Sequence, residues 1–184
     1  MRRSLRPHPD TPCEALTSID VDVARPGPLS LRLTYQLAGR MSEVRLPEPE
    51  ALSRSDRLWE HSCLELFIRP EPGEAYHEFN FAPSLSWASY RLSGYRSGMH
   101  QSLELQEPLI EVGTEADRYR MQVSLDLSRL RDLPPSRSWR LGISAIVEEV
   151  SGRKSYWALR HPNGDPDFHH KDCFALQLAA ADHP

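Results

Sequence analysis

At 184 residues, with 39% hydrophobic and 26% charged side chains and a net charge of -4, the chain has the make-up of one globular domain with a sizeable core. It has no basic block to mark a nucleic-acid partner, and no apolar run approaches the roughly 20 residues of a membrane span. The basic segment 1–12 lacks the apolar stretch of a secretory signal, and Cys13, Cys63 and Cys173 are odd in number and without metal spacing. A reduced cytoplasmic setting fits these features, with a Cys63–Cys173 bridge left open.

Sixteen prolines and nine glycines punctuate the chain and favour many short elements. Residues 1–14 read as a frayed arm ahead of one domain over 15–180. Strands are predicted at Ile19–Val23 and Leu29–Leu37, the latter the cleanest apolar–polar alternation in the chain. Prolines 47 and 49 make 39–50 an edge or loop. From Ser62 to Arg69 a strand puts Leu64, Leu66 and Ile68 on one face and Cys63, Glu65 and Phe67 on the other.

Further strands are expected at Tyr76–Ala82 and Trp87–Leu92, with a weaker pair over 102–112 broken at Pro108. Tyr119–Leu127 alternates again, and 128–133 reads as one helical turn stopped by Pro134-Pro135. Trp139–Val147, Lys154–Leu159 and Cys173–Leu178 complete the series, with a loop over 161–170. About ten short alternating strands with turn signals between them predict an all-β antiparallel sandwich.

A carboxylate inside a half-apolar strand needs a polar partner, and Glu65 is one. Glu78, Asn80 and Arg91 also fall within strands and among aromatics. A sugar suits such a face: its C–H surface stacks on an aromatic ring while its hydroxyls meet Glu, Asn and Arg. In one continuous strand Trp59 and Glu65 would lie about 20 Å apart. For both to grip one ring, Trp59 must sit in a loop folded back over the sheet. Trp157 shares a face with Ser155 and Leu159, opposite Tyr156, and by pattern alone is equally a core residue.

The blocks Asp56-x-Leu58-Trp59-Glu60-x-x-Cys63-x-Glu65-x-Phe67 and Tyr76-x-Glu78-Phe79-Asn80-Phe81-x-Pro83 resemble bacterial DOMON-like domains related to family 9 carbohydrate-binding modules. So do Trp87-x-x-Tyr90, Gly94-Tyr95-Arg96, Ser155-Tyr156-Trp157-Ala158-Leu159-x-His161-Pro162 and Gly164-x-Pro166-Asp167-Phe168-His169; together the match spans about residues 15–178. The resemblance implies a DOMON-type β-sandwich that binds a small carbohydrate without catalysis. It implies Trp59 and Trp157 as the two stacking walls and Glu65, Asn80 and Arg91 as hydrogen-bonding groups; Glu78, from its place among the strand residues, and His161 and His169 are added as further ligand-binding candidates. The lack of an export signal points to a cytoplasmic sugar, such as an amino sugar derived from the cell wall, rather than an extracellular polysaccharide.

The competing readings are haem, calcium and catalysis. DOMON-type haem ligation would draw on Met41, Met99, His161 and His169, but a haem pocket wants apolar walls and this face carries Glu65, Glu78 and Asn80. Asn163, Asp165 and Asp167 begin like a calcium loop, yet Phe168 and Phe174 stand where an EF-hand needs glycine and glutamate. That leaves only a looser structural calcium site, and no cofactor is expected. A carbohydrate-active enzyme would use Glu65 with a histidine as acid and base. Nothing in the sequence identifies a protein partner.

Overall fold

The alternating segments pair into two layers, antiparallel except for one short parallel edge strand, whose apolar faces meet. In a computed structural model, which describes residues 1–181, strands β1 (Arg2–Pro7), β2 (Leu16–Gly27), β3 (Ser30–Gly39), β9 (Leu109–Thr114) and β10 (Arg118–Asp126) make one layer in the order β1-β2-β3-β10-β9. The other runs β4 (Ser53–Arg54), β7 (Ser86–Leu92), β6 (Tyr76–Phe81), β5 (Cys63–Pro70), β11 (Trp139–Glu148), β12 (Lys154–Ala158). Two short strands flank it: β8 (His100–Gln101) on β7 and β13 (Leu176–Leu178) on β11. The expected all-β sandwich is the fold observed.

β1 joins the layers. Arg2 to Leu5 pair with β2, then Arg6 and Pro7 pair with β12. Residues 1–14, expected to fray, therefore contain a strand that links the two layers, and Leu5 is buried in the core. Charge on both sides of Leu5 had disguised it. Two other expectations shift: 102–108 forms no strand, leaving only β9 from the anticipated pair, and 128–133 is a succession of turns rather than a helix.

Ile19, Val21, Leu33 and Val123 from one layer pack against Leu64, Leu66, Phe79 and Ile143 from the other. Tyr35 crosses this core to donate its hydroxyl to the Glu65 carbonyl at 2.8 Å, so the backbone of the central strand is pinned from beneath. Such a buried bond contributes about 1 kcal/mol net. Gly39 ends β3 at φ +148°, where an added Cβ would lie 2.2 Å from the Ala15 carbonyl oxygen. Only glycine permits that approach.

The outer face of the second layer is covered as well. Phe67, Tyr76, Tyr90 and Ile146 form a smaller apolar cluster with Phe168 and Phe174 from the chain after β12. Gly142 allows this cover, since its missing Cβ would meet the Cys173 carbonyl at 3.4 Å and Phe67 at 3.3 Å. The candidate cavity lies between this face and its cover.

Candidate functional site

Strand alternation sends Glu65 and Phe67 of β5, Glu78 and Asn80 of β6, Ser144 and Ile146 of β11 and Tyr156 of β12 to this covered face. Among them opens a cavity of 290 Å³, floored by Glu65 and Glu78 and walled by Trp59, Tyr156, Phe168 and His169, with Arg96 and Met99 contributed by a loop.

Trp59 reaches the cavity because the chain leaves the sheet before β5. Arg57, in the left-handed region at φ 60°, starts a single 3-10 turn over Leu58–Glu60. Three ties hold that turn over the sheet. The Lys154 ammonium donates to the Glu60 carbonyl, His61 contacts Glu148 at 2.7 Å, and Asp56 accepts from Tyr90 at 2.7 Å. The Trp59 ring rests edge-on against Tyr90 with centroids 5.7 Å apart. Thus Trp59 lies in a folded-back loop and lines the same cavity as Glu65, the arrangement their spacing required.

The loop after Gly164 closes another side of the cavity, with Pro166, Phe168 and His169. Asp167 accepts hydrogen bonds from Tyr95 at 2.6 Å, from Arg96 at 2.8 Å and from the His169 backbone at 3.1 Å. Burial alone would raise the Asp167 carboxyl, but Tyr95 and Arg96 outweigh it and hold it below the usual carboxylate range. One carboxylate thereby clamps two loops across the cavity.

The floor is electrostatically unusual. Glu65 is 2% exposed and its carboxylate accepts one hydrogen bond from Ser144 at 3.0 Å. Glu78 accepts from the Asn80 amide at 2.9 Å, while its Oε2 and the Asn80 Oδ1 are buried with no hydrogen-bond partner among the described residues. Burial, and for Glu65 also repulsion from Glu78, raises both carboxyls above their ordinary range, Glu65 the further.

His169 stands beside them with Nε2 at 3.9 Å from Glu78 Oε2, too far to satisfy it. Burial, reinforced by the Arg96 charge, pushes His169 down to about 4, so it is neutral at pH 7. The Tyr76 hydroxyl lies 2.7 Å from His169 Nδ1 and 3.4 Å from the Arg96 backbone N–H. Tyr76 accepts from that N–H and pairs with Nδ1, the direction of the second bond being set by the tautomer of His169, whose Nε2 lies on the side of the orphaned Glu78 oxygen.

Of the residues singled out in the sequence, Trp59, Glu65, Glu78 and His169 come together, with Asn80 fully buried beneath Glu78. Three do not join them. Arg91 pairs in register with His77, hence faces the opposite side of the sheet, where it binds Asp132. Trp157 also points inward, 3% exposed in the core between the layers, with its indole N–H on Ser155 at 3.0 Å. Its neighbour Tyr156 takes the wall position. His161 lies outside the cavity, its Nε2 at 2.8 Å from the Arg6 carbonyl and its ring 6.3 Å from Phe168.

Arg96, Met99, Tyr156 and Phe168 went unrecognised as cavity residues. For Tyr156 the strand period held the answer, since it is opposite to Trp157; Arg96 sits in a turn at φ 49°, which no periodicity marks. Of the residues weighed for haem, Met41 is in the core and Met99 and His169 line the cavity. Among the described residues no group of three His, Cys, Asp or Glu side chains is arranged to hold a metal ion, and Cys13, Cys63 and Cys173 are all free thiols.

No family model and no curated protein matches the sequence. Among solved structures, the fold is similar to that of a "putative carbohydrate-binding protein" from Bacteroides uniformis, with a TM-score of 0.66 at 13% identity over 94% of this chain and 83% of the other.

Proposed function

We propose that the chain binds a small carbohydrate, a mono- or oligosaccharide, in the cavity between Trp59 and Tyr156, without catalysis. One observation carries this reading: Glu78 Oε2, on the cavity floor beneath an aromatic wall, is a buried acceptor with no donor among the described residues. Leaving such an atom unpaired costs about 1–3 kcal/mol, which a ligand hydroxyl would recover. Aromatic faces above would take the C–H surface of the ring, and Arg96 would reach a hydroxyl at the rim. The Bacteroides fold neighbour, itself described as carbohydrate-binding, supports the same class.

Within that class, the resemblance to DOMON-like and family 9 binding domains is the finer assignment, modified by the exchange of Trp157 for Tyr156 as the second wall. An amino sugar suits two raised carboxyls especially well, because its ammonium is both a donor and a counter-charge. The three free thiols favour a reducing, cytoplasmic setting.

Isothermal titration against a panel of neutral sugars and amino sugars tests the proposal, with Trp59→Ala as the control. Binding that the substitution abolishes is expected; a panel with no binder, or affinity unchanged in Trp59→Ala, refutes it. The buried Glu65 with its raised carboxyl also favours a second reading, a glycosidic acid–base reaction with His169. Product formation that Glu65→Gln abolishes would establish that alternative.

A further inference from the structure

A second cavity, of 440 Å³, shares His169 with the first and is walled also by Tyr76, the partner of that histidine. The Tyr76–His169 pair therefore stands between two spaces on one face of the sheet. The second space differs in charge. Arg69, at the end of β5, lies over the Phe174 ring with its guanidinium carbon 4.8 Å from the centroid. Its Nε–H is buried and makes no hydrogen bond among the described residues.

Among the described residues no carboxylate answers it. Glu71, near the same strand end, is held by Arg140 at 3.0 Å, and Asp172 lies 3.7 Å from His170. Lys171 adds a second cation to the cavity, against a single carboxylate, Glu74. At the rim, Tyr95 is 58% exposed, its hydroxyl fixed by Asp167, so its ring is presented as a platform. A stacked aromatic beside an unpaired guanidinium fork suits a sugar ring bearing a planar carboxylate.

We infer that this second cavity is a subsite for a carboxylate-bearing sugar residue linked to the one in the first cavity, so that the full ligand is an acidic oligosaccharide. This rests on the first cavity's being a sugar site, and the test separates the two. Wild type, Arg69→Met and Lys171→Ala are titrated with a disaccharide ending in a uronic acid and with its neutral counterpart, folding being checked by circular dichroism. The acidic disaccharide is expected to bind wild type about tenfold more tightly, the worth of a charged hydrogen bond. Each substitution should remove most of that preference and leave the neutral affinity unchanged. Equal affinities in wild type, or a preference that survives both substitutions, overturns the inference. Should neither disaccharide bind, the sugar reading of the first cavity fails, and the subsite is tested alone with D-glucuronate. A shift of the Arg69 Nε–H resonance with glucuronate but not with glucose upholds the acid subsite; no shift overturns it.

Discussion

Replacing Glu65 by glutamine should stabilise the protein, and do so increasingly as pH rises. Glu65 is 2% exposed, has a hydrogen-bond donor in Ser144, and is repelled by the like-charged Glu78. Its folded carboxyl is therefore raised above the unfolded value of about 4.3. A raised carboxyl makes the native state hold the proton that the unfolded state has already lost. Stability then falls as pH climbs from the unfolded value until folded Glu65 itself ionises, with a slope of up to about 1.4 kcal/mol per pH unit. Glutamine keeps the shape and can still pair with Ser144, but removes the slope. Between pH 5 and pH 7 the variant should gain roughly 2–3 kcal/mol relative to wild type. Urea unfolding at a series of pH values measures this directly through the midpoint. Parallel profiles for the two proteins would refute the claim that Glu65 is buried at a cost.

Three further substitutions probe the frame around the site. Tyr35→Phe removes the hydroxyl that holds the Glu65 carbonyl and should cost about 1 kcal/mol in chemical denaturation, with no cavity left behind. Gly39→Ala would drive a methyl group into the Ala15 carbonyl at 2.2 Å and should destabilise by more than ~3 kcal/mol or prevent folding, read by thermal melting. Asp132→Asn strips the charge that Arg91 and the buried His77 share, costing about 1–2 kcal/mol while leaving sugar affinity unaltered in titration, because this network lies on the other face of the sheet.

The strand series was legible because a two-sided sheet writes its burial into alternate residues. Leu31, Leu33, Tyr35 and Leu37 are all buried in the core, as their spacing requires. The same rule isolated Glu65, and the span of an extended strand placed Trp59 in a loop on the condition that both grip one ring. Arg91 and Trp157 were misplaced for a common reason: each was judged by its company in sequence, while the register across β6–β7 and β11–β12 decides which face it joins. Arg91 opposes His77, and Trp157 opposes Ala145, both on the inner face. β1 was hidden because an edge-joining strand with one buried residue, Leu5, carries almost no pattern. The clamp of Asp167 on Tyr95 and Arg96 joins loops more than seventy residues apart in the chain, and only the fold brings them together.

The cost of burying Glu65 and Glu78 side by side makes sense if a ligand answers it, and stability gained by Glu65→Gln should therefore come with weaker binding. The most direct test is a crystal structure with the tightest sugar from the titration panel. The account predicts a ring lodged between Trp59 and Tyr156 with a hydroxyl or amine hydrogen-bonded to Glu78 Oε2. A ring bound instead on the polar outer face of the β1-β2-β3-β10-β9 layer, with the Glu78 oxygen still unpaired, would contradict it.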